Sequence, residues 1–313
     1  MKKKINKILL LVLLLITVTG CTVSLKDPKT KKVVYYENNS VKITLNKNIL
    51  CKPTNKGVIK EYNKYKKEID IDKLPACKTY KLSDSSYDGL WETLFVKPLA
   101  LLIIKLGNVI KNYGLSLIII GVLIRVLLLP FTLKATNQSA VMKKMQPEID
   151  RINKKYENKN DTESLNKKSM EMMTLYKKYN FNPLSSCLTA FIQLPILYAF
   201  FEAINRVPVI FEEKLFGLVL GTTPMKAISS GHYLYIIVVL LIILTTFISQ
   251  RLVQVPKSSD GVDPNVMMNT MIIMIAVMSL NFSVALSLYW IASTTFTIIQ
   301  TIIVKKMNEG KGE

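Results

Sequence analysis

The stretch that decides the fold is residues 115–133, LSLIIIGVLIRVLLLPFTL, which is almost entirely apolar but carries one central arginine, Arg125. As a helix it is roughly 28 Å long, enough to cross the hydrocarbon core of a bilayer, and Arg125 lies about 15 Å along it. A guanidinium at that depth costs at least ~2.5–3.5 kcal/mol and cannot lose its proton. Arg125 must therefore face other helices or a water-filled cavity, either as an internal structural pair or as part of a pathway or binding site.

The composition is that of a multi-pass membrane protein. Half of the 313 residues are hydrophobic, and the mean hydropathy is positive at +0.27. The net charge of +20 would suit a nucleic-acid partner, but basic residues that set membrane topology and contact anionic lipid give the same excess. Because no zinc-ligand spacing and no run of aromatic residues accompanies the charge, we expect no direct nucleic-acid binding.

The N-terminus is typical of a bacterial lipoprotein. Residues 1–20 combine early lysines with an apolar core that is too short to span a membrane, as in a signal peptide. The sequence Val18-Thr19-Gly20-Cys21 then resembles a lipobox, in which the cysteine receives a diacylglycerol and becomes the new N-terminus. The alternative is ordinary cleavage with Cys21 as a bystander. Lipidation predicts an external, lipid-anchored N-terminus in the cell membrane.

Residues 21–89 are predicted to form an extracytoplasmic polar segment. The segment is rich in Lys, Asn and Tyr, with short β-like pieces at residues 32–36 and 41–45. It contains Cys51 and Cys77, and an external compartment would permit a disulfide between them.

Residues 90–112 predict an amphipathic helix on the outer membrane surface. Their apolar side chains recur at helical spacing, and Lys105 interrupts any full-length span. Trp91 and Phe95 are expected at the membrane interface.

The predicted fold class is an all-α membrane protein with five transmembrane helices, a cytoplasmic helical hairpin and the external amphipathic helix. The hairpin corresponds to residues 134–180, which are rich in charged side chains and follow a first span that runs inward. Both features place the hairpin in the cytoplasm. The last span also runs inward, so the C-terminal tail, residues 307–313, is cytoplasmic. Residues 113–306 form the core, with spans at about residues 115–133, 187–205, 233–250, 266–280 and 284–304.

Apolar stripes on the two arms of the hairpin are expected to pack together. Pro147 is expected to kink or offset the first arm. The stripes are Val141, Met145, Ile149, Ile152 and Tyr156 on one arm and Met172, Met173, Tyr176 and Tyr179 on the other.

Polar side chains on three spans are candidates for one site around Arg125. Gln193 lies within the apolar second span, and Gly121 and Thr132 share a face with Arg125. They predict a wet groove; the alternative is ordinary hydrogen bonding between membrane helices, and the buried arginine favours the groove. The fifth span adds a polar face of Ser283, Ser287, Trp290, Thr294, Thr297 and Thr301.

The fourth span carries methionines on one face. Methionine is flexible and polarisable, so such a face suits varied apolar partners, although plain packing is an equal alternative. The sequence contains no G-x-x-x-x-G-K-[ST], H-E-x-x-H or G-x-S-x-G motif and no acidic pair at mid-membrane, so we expect neither ATP-driven transport nor intramembrane proteolysis. The chain is expected not to be an enzyme and to use no metal or cofactor. The methionines are Met267, Met271, Met274 and Met278.

Three pieces of the sequence together resemble the YidC membrane-protein insertases. They are Arg125 in the first span, residues 170–196 (MEMMTLYKKYNFNPLSSCLTAFIQLPI) and Leu288-Tyr289-Trp290 in the last span. The resemblance covers about residues 90–306. It implies a cationic groove, open to the cytoplasm and lipid but closed outside, with Arg125 at its centre and Gln193 and Trp290 beside it. It also implies that the hairpin receives the substrate and that the second and fourth spans form an apolar slide into lipid.

The predicted function is the insertion and folding of integral membrane proteins, alone or with the Sec translocon. The implied partners are nascent membrane proteins with acidic translocated segments, membrane lipid and the ribosome, although the basic tail that some relatives use for ribosome contact is short here. The alternatives are a small-solute or ion channel through the same groove and an enzyme of lipid or peptide chemistry. A groove closed at its outer face would exclude the channel.

Overall fold

The computed structural model describes residues 23–38, 41–84, 89–159, 161–182, 184–252 and 264–309. Within these ranges the side chains of residues 38, 135, 139, 140, 143, 184–192, 264, 265, 267, 308 and 309 are not described. The predicted signal peptide, residues 1–20, and the predicted lipid-carrying Cys21 lie outside the described residues. The chain divides into two compact units. Unit 1 contains residues up to Gly121, Leu194–Val239 and Ser279–Trp290, and unit 2 contains Val122–Gln193, Leu240–Met278 and the residues from Ile291 onward.

Helices make up most of both units. Unit 1 also contains two small antiparallel hairpins, β1 Tyr35–Asn38 with β2 Val41–Thr44 and β3 Lys214–Leu215 with β4 Leu218–Val219. The α-helices in chain order are α1 Lys56–Asn63, α2 Lys97–Ile110, α3 Tyr113–Leu127, α4 Leu129–Lys155, α5 Thr162–Lys178, α6 Leu184–Asn205, α7 Pro208–Glu212, α8 Pro224–Ser229, α9 Ile236–Leu252, α10 Pro264–Ser279 and α11 Val284–Glu309.

Three helical segments of the described chain are long and apolar enough to cross a membrane, and a fourth is added if the bent pair of α3 and the start of α4 counts as one span. The three are Glu92–Ile110, Tyr233–Leu252 and Val284–Met307. A shorter apolar helix covers Met268–Ser279. The predicted class, a mostly helical membrane protein, is confirmed, whereas the count of five spans stays a prediction.

The helix before the first predicted span begins with a π-turn over Glu92–Val96 and continues as α2. Its length and composition would allow it to cross a membrane, so its place on the outer surface stays a prediction. Trp91, which was expected at the membrane interface, is only 6% exposed. It packs against Phe95 and Tyr198, with ring centroids 4.8 and 5.9 Å away.

The first predicted span is not one helix, as the sequence analysis assumed. α3 ends at Leu127, and α4 begins at Leu129 and runs on into the first arm of the hairpin. The cause is Pro130, which has no N–H to bond the carbonyl of Val126 and is best tolerated in the first turn of a helix. α4 includes Pro147 without ending there.

Residues 23–84 form a small part of unit 1 that we call the N-terminal subdomain. Its strands β1 and β2 lie close to the two predicted β-like pieces, and Cys51 and Cys77 are joined by a disulfide. Its apolar core consists of Leu25, Val34, Leu45, Ile49, Val58, Tyr62 and Ile71.

α4 and α5 pack against each other as a helical hairpin in unit 2. Most residues of the two predicted apolar stripes meet there, but Met173 is 65% exposed and Tyr156 is not part of this core. Met142, Leu175 and Phe181, which the stripes did not include, take part in it. The stripes were traced correctly along most of the first arm, because side chains three and four residues apart share one face of a helix. The buried residues are Met142, Met145, Ile149, Met172, Leu175 and Phe181.

We expect Ile149→Ala to loosen this hairpin. Ile149 is fully buried, and truncating such a side chain costs about 2–5 kcal/mol through lost burial and the cavity left behind. Limited proteolysis of the purified protein would show faster cleavage in the connection near Asn158. Met173→Ala is the matched control, and equal cleavage rates in the two variants would contradict the packing described here.

Candidate functional site

Arg125 lies near the end of α3 and is 9% exposed. Its Nε donates a hydrogen bond to Ser293 Oγ of α11 at 2.5 Å, and its Nη2 donates one to Gln193 Oε1 of α6 at 2.6 Å. Both of these acceptors are uncharged groups that satisfy donors of the guanidinium. The buried arginine of α3 therefore contacts side chains of two other helices.

A second polar contact fixes the direction of α11 beside the first span. Gln300 Nε2 donates a hydrogen bond to Thr132 Oγ1 at 2.9 Å. The pairs Arg125–Ser293 and Thr132–Gln300 are each separated by 168 residues in sequence, and the second pair lies seven residues after the first on both segments. Equal offsets mean that the two segments run parallel. A parallel run is what the predicted topology requires, because its first and fifth spans both run inward.

The predicted groove residues fall into two groups. Gln193 contacts Arg125 directly, and Thr294 Oγ1 lies 3.3 Å from Thr245 Oγ1 of α9, also in unit 2. Ser287 and Trp290 belong to unit 1, so their grouping with Arg125 stays a prediction. The Ser287 hydroxyl donates to the carbonyl of Ser283 in its own helix, at 3.1 Å.

The sequence analysis missed the two residues of α11 that contact the first span, Ser293 and Gln300. The sequence analysis assigned the polar face of the fifth span to a row of residues that includes Trp290 and Thr294. The residues that contact the first span lie on a neighbouring row of the same helix. The signal was present, because Trp290, Ser293, Thr297 and Gln300 also follow helical spacings of three and four residues.

The methionine face of α10 is largely exposed. Met271, Met274 and Met278 are 45, 54 and 43% exposed, whereas Met268 is 8% exposed. The side chain of Met267 lies outside the description. Three neighbouring thioether side chains thus form an apolar surface on this helix, which fits contact with lipid or with another apolar chain.

Unit 1 holds a second charged site, which the sequence analysis missed. Arg206 donates from Nη1 and Nη2 to the two carboxylate oxygens of Glu92 at 2.5 and 2.6 Å, and from Nη2 to Glu202 at 2.6 Å. All three side chains are at most 6% exposed, and an arginine fork of this kind is what makes buried carboxylates tolerable. Glu202 and Arg206 could have been paired by their four-residue spacing, but Glu92 is far away in sequence. Among the described residues, no three His, Cys, Asp or Glu side chains are grouped so that they could hold a metal ion.

Comparison with known proteins gives consistent matches. A family model described as "60Kd inner membrane protein" matches residues 105–311. Membrane protein insertase YidC 2 of Bacillus anthracis is 36% identical over 218 residues, covering 69% of this chain and 82% of that protein. Membrane protein insertase MisCA of Bacillus subtilis is 35% identical over 216 residues, covering 69% of this chain and 79% of that protein. A crystal structure of an active YidC insertase is 20% identical with a TM-score of 0.49, covering 79% of this chain and only 51% of its own chain.

We expect Ser293→Ala to destabilise the protein by about 1–3 kcal/mol, because it removes the acceptor of a buried guanidinium N–H. The measurement is thermal unfolding of the purified protein in detergent. Thr297→Ala is the control, since the Thr297 hydroxyl donates only within its own helix, to the carbonyl of Ser293 at 3.0 Å. Equal unfolding temperatures for the two variants would contradict the assigned bond.

Proposed function

Because the chain belongs to the YidC family of membrane protein insertases, which are multi-pass proteins of the bacterial membrane and not enzymes, we propose that it inserts other proteins into the cell membrane through a hydrophilic groove centred on Arg125. The observation that carries this proposal is the buried guanidinium bonded to Gln193 and Ser293. A cation attracts a carboxylate several times more strongly in a medium of reduced dielectric constant than in water.

The substrates are nascent membrane proteins with acidic segments that must cross the membrane. Such a segment rests near Arg125 while the following apolar helix of the substrate moves sideways into lipid. A Leu/Ile/Val-rich helix of about 20 residues gains roughly 6–12 kcal/mol from this transfer, so insertion needs no nucleotide hydrolysis. The membrane potential acts on charged segments in addition.

The exposed methionines of α10 supply an apolar slide for the emerging helix. Met271, Met274 and Met278 have flexible side chains that adapt to substrates of different shape, and Met267 extends the same face in sequence. Apolar residues of α6 form the other side of this route.

The proposal includes an orientation and a lipid anchor. The lipobox at Cys21 supports an N-terminus tethered outside the cell, and the charged hairpin of α4 and α5 supports a cytoplasmic location for that end of the protein. The Cys51–Cys77 disulfide fits an external, oxidising position of the N-terminal subdomain. The Sec translocon and the ribosome are proposed partners that come from the family resemblance.

We predict that Arg125→Ala lowers the insertion of a small substrate with an acidic translocated segment at least about tenfold, equivalent to ~1.4 kcal/mol. Arg125→Lys should keep most of the activity, because the positive charge remains. The measurement is protease protection of the substrate in liposomes that contain the purified insertase.

Two controls separate a loss of attraction from a loss of fold. Arg251→Ala removes an exposed arginine at the end of α9 and should leave insertion unchanged. The Arg125→Ala protein should still insert a substrate whose translocated segment has no acidic residue. Full activity of Arg125→Ala on the acidic substrate, at normal protein levels, would refute the proposed mechanism.

A further inference from the structure

The N-terminal subdomain is attached to the end of α6 by a row of hydrogen bonds. Asn46 Nδ2 donates to the carbonyl of Asn205 at 2.7 Å, and the amide of Leu50 donates to the carbonyl of Arg206 at 2.8 Å. Further along the same segment, the Thr54 hydroxyl donates to the Glu212 carboxylate at 2.5 Å. These bonds bind a continuous edge of the subdomain to the chain that leaves α6.

The disulfide links this edge to the rest of the N-terminal subdomain. Cys51 directly follows Leu50 and is bonded to Cys77, and both cysteines are at most 2% exposed. The next residue, Lys52, donates its amide to the carbonyl of Pro75 at 2.8 Å. The segment that reaches α6 is therefore fixed to the rest of the subdomain by a covalent link, which matters because a core this small stabilises a fold only weakly.

Arg206 joins the subdomain to two long helices of unit 1. Its carbonyl accepts the Leu50 amide, while its side chain bonds Glu92 at the start of the α2 segment and Glu202 on α6. Because the guanidinium and both carboxylates are buried, removal of Arg206 would leave two buried carboxylates without their shared cation.

A second attachment reaches the start of α11. Lys226 Nζ donates to Thr44 Oγ1 of β2 at 2.6 Å and lies 4.8 Å from the centre of the Tyr35 ring. Burial lowers the pKa of this ammonium group. The neighbouring hydroxyl of Thr222 donates to the carbonyl of Lys42 at 3.1 Å. The β1–β2 hairpin is thus held on the loop that contains α8.

That loop is in turn bonded to the turn between α10 and α11. Three backbone hydrogen bonds of 2.9–3.0 Å connect them: Met225 amide to Leu280 carbonyl, Val284 amide to Thr222 carbonyl and Ala285 amide to Leu220 carbonyl. An unbroken path of hydrogen bonds therefore runs from the β1–β2 hairpin to the first turn of α11.

Within unit 1, α6 and α11 meet α3 in a buried apolar layer. The rings of Phe200 on α6 and Tyr289 on α11 are stacked with centroids 3.8 Å apart, and both side chains are at most 1% exposed. Gly121 of α3 packs against the Tyr289 ring, since a Cβ at this position would lie 3.1 Å from Tyr289 Cδ2. Separation of these helix ends would admit water to the layer.

We infer that the N-terminal subdomain is a disulfide-dependent clamp that keeps this layer closed, with Arg206 as its positioning residue. The inference rests on the proposed function, because an insertase, unlike a channel, needs a face that stays closed to the outside. The disulfide makes this closure sensitive to the redox state outside the cell.

The test is hydrogen–deuterium exchange of the full-length protein in liposomes, before and after reduction with dithiothreitol. We expect reduction to raise amide exchange severalfold in residues 117–121 and 284–289, far from the cysteines in sequence, and reoxidation to restore protection. Cys51→Ser combined with Cys77→Ser should show the raised exchange without any response to the reductant. An increase confined to residues 23–84 would overturn the inference, because it would mean that the subdomain loosens without affecting the helices.

Two lysine variants test the attachment without touching the disulfide. Lys226→Met should raise exchange in residues 280–289, whereas Lys78→Met, at an exposed lysine beside Cys77, should not. Arg206→Gln is expected to raise exchange at both helix ends, and Arg206→Lys should restore part of the protection. Equal exchange in the Lys226→Met and Lys78→Met proteins would count against the clamp.

A second readout keeps this inference apart from the proposed function. Liposomes that contain the reduced protein should release a small trapped dye faster than those that contain the oxidised protein. Arg125→Ala should lose insertion yet remain as tight as the wild type. Unchanged dye release after reduction, together with normal dependence of insertion on Arg125, would reject the clamp and leave the insertase proposal standing.

Discussion

A permanent positive charge inside an apolar helix constrains everything packed around it. Arg125 cannot escape its position by losing a proton, so the neighbouring helices must bring hydrogen-bond acceptors to its level. Gln193 from α6 and Ser293 from α11 do so from different helices. The hydrogen-bonding requirement of this guanidinium therefore helps to determine which helices pack together and in what register.

The chain contains two buried arginines with different hydrogen-bond acceptors. Arg125 donates to the neutral side chains of Gln193 and Ser293, whereas Arg206 is bonded to two carboxylates. Opposite charges in contact cancel most of each other's field. The paired arrangement around Arg206 therefore suits holding helices in fixed positions.

Local periodicity in the sequence was enough to find most helices, the core of the hairpin and Arg125 with its partner Gln193. It was not enough for features that depend on competition or on distant contacts. The break at Leu128 arises because Pro130 disrupts a pattern that hydropathy alone treats as continuous. The contact of Trp91 with Tyr198, more than a hundred residues away, could not be found from any local pattern. Ser293 was passed over because two overlapping polar stripes on one helix cannot be ranked before their neighbours are known.

The continuity of α4 has a mechanical consequence. Its 27 residues form a rod roughly 40 Å long that begins directly after the break at Leu128 and ends at the tip region of the hairpin. A tilt of about 5° at the base displaces the far end of such a rod by about 3.5 Å. A partner that binds the tip can therefore change the tilt of α4 with a small force. The change in angle occurs at the break at Leu128, three residues after Arg125.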